Sequence, residues 1–154
     1  MTAAQPPLEI LDLLVEHEEA LQELYSFYAS AAAGSSDFWS RLAAEESEHA
    51  ATIRALRHKV EDGSVQLRPG RFSAPALASS LEHVRGQLAK AKDAPVSLRE
   101  ALATALDLEK GLIEAKFYEV FEGDGPQLQR VLERLAAATS EHRDRVQKAW
   151  EATR

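Results

Sequence analysis

The chain contains no cysteine, which excludes disulfides, thiolate-bound zinc, iron–sulfur clusters and cysteine nucleophiles. Aromatic residues make up only 6%, no basic stripe with interleaved aromatics occurs, and 18 Lys+Arg face 25 Asp+Glu, a net charge of -7. That balance opposes the phosphate contacts on which nucleic-acid affinity rests, so no nucleic-acid partner is expected. No apolar run approaches the roughly 18 residues of a membrane span, and no membrane association is expected. The first 15 residues lack the basic start and small-residue cleavage site of a secretory signal, so the expected location is cytoplasmic. Nucleotide-binding glycine patterns, nucleophile elbows and phosphate loops are missing, which removes support for hydride and phosphoryl transfer.

What is present is helical periodicity, interrupted at a few places where proline and glycine collect. Hydrophobic residues are 45% of the 154 positions, enough for one domain over 1–154 with a real core. Pro6 and Pro7 precede an apolar-periodic stretch over 8–33, Gly34 stops it, and Asp37 opens a second stretch that runs to Val60 before Gly63. Residues 64–75 lose periodicity, and a shorter amphipathic pattern follows over 76–92. Ser97 with Glu100 forms a capping box that starts a third long helix, predicted to reach Phe121; after Gly123 and Gly125 a fourth runs to the C-terminus. Nothing reads as strand. The expected fold is all-α: a hairpin over 8–60, a crossover with a short helix over 61–96, and a hairpin over 97–152. Two antiparallel hairpins with one crossover is the arrangement of ferritin-like four-helix bundles. An internal repeat supports it, because RLAAEESEHAATI at 41–53 resembles RLAAATSEHRDRV at 134–146.

Each helix carries ionisable residues on its apolar stripe. In the second helix the stripe is Trp39, Leu42, Glu46, His49, Ile53, Leu56 and Val60, so Glu46 and His49 point inward together. Glu18 falls between Leu14 and Leu21, Glu109 is surrounded by Leu102, Ala105, Leu106, Leu112 and Ile113, and His142 shares a line with Leu135, Thr139 and Val146. Glu45, Glu48 and Glu19 fall beside the stripes, where solvated roles are expected, and His83 is expected to face solvent. His17 adjoins the inner face without a partner at ligand spacing. Buried carboxylates are costly unless a cation sits among them. Glu18, Glu46, His49, Glu109 and His142 are therefore the candidate metal ligands. Counted from the turn at Ser35, Glu18 is 17 residues before and Glu46 is 11 after, which predicts that Glu18 sits roughly 7 to 9 Å out of register.

A carboxylate on each of two helices and a Glu-x-x-His on each of the others is a di-iron or di-manganese constellation. Glu18 with Tyr25 seven positions on, LAAEESEHA at 42–50, Glu109, and SEH at 140–142 resemble the rubrerythrin branch of the ferritin-like superfamily. The resemblance implies one or two iron ions, with manganese as the alternative, and an oxidoreductase acting on peroxide or oxygen with an external electron donor. It offers Tyr25 as a weak catalytic candidate. The sequence departs from the family at Thr139, where the second Glu-x-x-His would begin, and it has no cysteine-ligated rubredoxin module. Lys116 occupies the stripe two turns after Glu109 and offers a positive charge in place of a metal. Iron binding or storage without turnover, and a metal-free bundle serving as an interaction module, are the competing readings. Phe72, Leu77 and Trp150, read as exposed apolar positions, point to a helical homodimer.

Overall fold

Helix ends in the computed structural model follow local chemistry. Residues 6–31, 36–65, 67–68, 74–110, 122–123 and 126–153 are described. They form α1 (Pro6–Ala31), α2 (Ser36–Glu61), β1 (Leu67–Arg68), α3 (Ala74–Asp93), α4 (Leu98–Lys110), β2 (Glu122–Gly123) and α5 (Pro126–Glu151). At the start of α4 the Glu100 backbone N–H donates to Ser97 Oγ at 3.1 Å, satisfying one of the donors that a helix N-terminus leaves open. Past the end of α2, Gly63 takes φ +84°, a left-handed conformation that glycine adopts without a Cβ penalty. There the chain turns back, with Gly63 N–H donating to the Val60 carbonyl and Val65 N–H to that of Lys59. The predicted continuation of the third helix to Phe121, together with Lys116 and Phe72, lies outside the described residues.

Contacts between helices fix their directions. Asp12 pairs with Arg57, Glu18 approaches His49, and Tyr28 packs on Trp39, so residue numbers rise along α2 as they fall along α1. The same logic holds for α4 and α5, where the Arg99 guanidinium lies 5.8 Å from the Trp150 ring centroid while Glu109 faces His142. Both pairs are antiparallel. Helix α3, 20 residues long, packs along α1.

The apolar interior divides into two clusters. One contains Leu21, Leu24, Tyr25, Trp39, Leu42, Leu102, Ala105, Leu106 and Val146; the other contains Leu11, Leu14, Ile53, Leu56, Leu128, Leu132 and Leu135. Between them lies a polar layer. Along α1 the order is Leu14, Glu18, Leu21; along α2 it is Leu42, Glu46, His49, Ile53; along α5 it is Leu135, Thr139, His142, Val146, and every one of these side chains is buried.

Two expectations are corrected here. Leu67 pairs with Gly123 and Arg68 with Glu122 in a two-residue antiparallel ladder, although nothing in the sequence reads as strand. The pairing brings together the connection after α2 and the one before α5, where backbone groups outside helices still need partners. Leu77 is not exposed: at 1% accessibility it belongs to the core, because the stripe of α3 formed by Leu77, Leu81, Val84, Leu88 and Ala91 is covered within the chain. Trp150 is partly buried against the core as well, so the apolar surface offered as a dimer contact loses these two positions. Among the described residues no helix is long and apolar enough to cross a membrane.

Candidate metal centre

Three residues apart on α2, Glu46 and His49 share a helical face, and both are buried. The partner helices bring His142 from α5 and Glu109 from α4 to the same layer, with Glu18 arriving from α1. The Glu46 carboxylate is the hub. Its Oε1 lies 2.9 Å from His142 Nδ1 and its Oε2 lies 3.7 Å from His49 Nδ1. Glu18 Oε2 is 3.9 Å from His49 Nδ1, and Glu109 Oε1 is 3.9 Å from His142 Nδ1. The two imidazole rings stack with centroids 5.0 Å apart and planes inclined by 25°. All five sequence-predicted residues thus meet in one layer, with one Glu and one His on either side of Glu46.

The displacement of Glu18 from Glu46 is about half of that expected. Helix α1 ends at Ala31 and α2 begins at Ser36, so Glu18 lies 13 residues before the end of one helix and His49 lies 13 after the start of the next. Glu18 is therefore level with His49, while Glu46, 10 residues after the start of α2, is offset from it by three residues, roughly 4.5 Å along the helix.

Electrostatics at the hub reflect the crowding. Burial pushes the Glu46 carboxyl up, but hydrogen bonding with Glu18, His142 and His49, with the charge of His142, outweighs it and holds Glu46 well below the usual carboxylate range. Tyr25 donates its hydroxyl to Glu109 Oε1 at 2.8 Å in the buried interior. Thr139 is buried in the layer, yet its hydroxyl donates to the Leu135 carbonyl of its own helix at 2.9 Å.

The donor set fits a transition-metal ion. Ligand atoms of Glu46, His49 and His142 all lie within 4.8 Å of one another, and all three residues are buried. Two ligands opposite each other on an ion at about 2.0–2.2 Å stand roughly 4.4 Å apart, so a few tenths of an ångström of closure would serve. Carboxylate with imidazole suits iron, manganese and zinc.

Neither family models, nor curated proteins, nor solved structures match this chain.

Two participants were not anticipated. Glu45, expected to be solvated, lies 2.7 Å from His142 Nε2 and pairs with Arg145 through the same oxygen; only 24% of its side chain is exposed. The signal for it was Arg145, three residues after His142 and so beside it on α5, a cation in want of a carboxylate across the interface. Arg145 and His142 hold the Glu45 carboxyl below its ordinary value despite some desolvation. His17 is fully buried rather than marginal, with Nε2 2.9 Å from Ser80 Oγ on α3, and burial lowers its pKa to about 4. It ties the crossover helix to α1. His83 and Glu48 are exposed as expected.

Proposed function

We propose that this chain is a ferritin-like, rubrerythrin-like bundle that binds one or two iron or manganese ions in the polar layer and acts as an oxidoreductase on peroxide or oxygen. The observation that carries this reading is the convergence of Glu46, His49 and His142 donor atoms within 4.8 Å in a buried layer. Glu18 and Glu109 stand beside the two imidazoles and complete a set of three carboxylates and two histidines. A bound ion would supply redox chemistry and Lewis acidity at that layer. The chain's own residues fix the ligands' orientation: Tyr25 holds Glu109 through its hydroxyl, Glu46 lies between the imidazoles, and the apolar clusters on either side keep water out. Electrons come from an external donor, since no cysteine is available for an iron–sulfur module.

A second reading has specific support. Thr139 contributes a hydroxyl turned to its own backbone where a fourth carboxylate would stand, and both nitrogens of His142 already have carboxylate partners in Glu45 and Glu46. A metal-free bundle with an internally paired polar layer, serving as an interaction module, accounts for both.

Metal analysis of protein purified without chelator, followed by anaerobic titration of ferrous ion into the apoprotein, separates the two. The first reading expects one or two tightly bound ions per chain, lost in Glu46→Ala and His49→Ala. Undetectable ferrous binding by the unaltered chain would leave the metal-free reading.

A further inference from the structure

We propose that Glu45 is a positioning residue for the metal centre, holding the His142 ring from the solvent side so that its Nδ1 is presented to the ion. The proposal rests on the metal-binding reading given above and adds to it a residue outside the ligand set.

Adjacent positions on an α-helix point about 100° apart, so Glu45 cannot enter the layer that Glu46 enters. It reaches around the far edge of the His142 ring instead. Glu45 Oε1 lies 2.7 Å from Nε2, while on the opposite edge Nδ1 lies 2.9 Å from Glu46 Oε1. The ring is clamped between two carboxylates on consecutive residues of α2. Glu45 is itself anchored from both helices: Arg145 on α5 pairs with Oε1, and Arg41, one turn earlier on α2, donates from Nε to Oε2 at 3.3 Å.

The chemical consequence follows from the imidazole. A neutral ring carries one N–H, and its other nitrogen alone offers a lone pair to a metal. If an ion took the Nδ1 lone pair in place of the contact with Glu46 Oε1, the ring's single N–H would lie at Nε2, where Glu45 is the fixed acceptor. An anionic acceptor also makes the ring a stronger ligand and prevents it from turning. A merely structural ion pair between α2 and α5 would need Arg145 and Glu45 but no contact with the imidazole.

The test uses the full chain and two variants, Glu45→Leu and Glu45→Gln. Free Mn²⁺ followed by electron paramagnetic resonance gives the affinity. Long-range ¹H–¹⁵N spectra of the Zn²⁺-loaded, histidine-labelled protein give the protonated nitrogen of His142. Outer-shell partners of metal-bound histidines are worth about 10- to 100-fold in affinity. Glu45→Leu is expected to weaken Mn²⁺ binding by about that factor and to abolish the single Nε2–H form of His142. Glu45→Gln, whose amide oxygen still accepts, is expected to keep the Nε2–H form and to lose about tenfold, and it carries the test by itself if Glu45→Leu does not fold. Unchanged Mn²⁺ affinity in the folded variants, or weaker binding with the ring spectrum of Glu45→Leu unaltered, overturns the role of Glu45 alone. Absence of Mn²⁺ binding by the unaltered chain overturns it together with the metal-binding reading.

Discussion

Tyr25 on α1 donates its hydroxyl to the Glu109 carboxylate on α4 at 2.8 Å, joining the two helical hairpins at the edge of the polar layer. Both side chains are buried, so the bond is made where water does not compete. Hydrogen bonds to charged groups are worth about 1.5–3 kcal/mol, and a buried acceptor deprived of its donor bears the desolvation penalty. Tyr25→Phe keeps the ring on Trp39 and deletes only the hydroxyl. It should destabilise the metal-free protein by about 1.5–3 kcal/mol in urea unfolding, and an unchanged midpoint would show that the bond contributes nothing.

His17 predicts a pH dependence. Its pKa falls from 6.5 to about 4 on folding, chiefly through burial. Between those values the unfolded chain binds more protons than the folded one, so stability falls as pH is lowered from 6.5 toward 4 and is fully present above 6.5. At 1.36 kcal/mol per pK unit the loss amounts to roughly 3 kcal/mol. Unfolding of chelator-treated protein across this range, compared with His17→Gln, checks it: the variant should lack this part of the acid slope, and parallel curves would contradict the assignment.

Under the proposed metal-binding function, buried Thr139 stands where a fourth carboxylate would complete the ligand set. Three buried glutamates cannot balance the +4 of two divalent ions, and the Thr139 hydroxyl is engaged with Leu135. Thr139→Glu should tighten the binding of a second Mn²⁺ ion, so that two are held firmly per chain. Without metal it should destabilise the fold by about 3–5 kcal/mol, the cost of an uncompensated buried charge. Equilibrium dialysis and thermal unfolding with and without Mn²⁺ measure the two effects. A variant that is no less stable without metal and gains no second ion would remove Thr139 as the limiting position.

The inward set Glu18, Glu46, His49, Glu109 and His142 was legible because helical periodicity is a local property: each residue sits between apolar neighbours three or four positions away, and burial follows. The helix spans were legible for the same reason, with α1 and α2 beginning and ending within two residues of the sequence expectation. Glu45 was not legible, because its partner is 97 positions away and its own helix places it off the stripe. The register of Glu18 was legible only in part: counted from the described ends of α1 and α2, its offset from Glu46 is three residues, where counting from Ser35 gives six. Leu77 shows the third limit. An apolar stripe on a crossover helix reads equally well as a dimer surface or as an intramolecular one, and only the packing of α3 along α1 decides.

The proposed function requires an ion in the layer between the two apolar clusters. Diffraction from crystals soaked in Mn²⁺, recorded at the manganese absorption edge, tests this directly. An anomalous peak is expected at bonding distance from a Glu46 carboxylate oxygen and from nitrogens of His49 and His142. An ordered structure with these side chains placed as described, but with no anomalous density among them at saturating Mn²⁺, would contradict it.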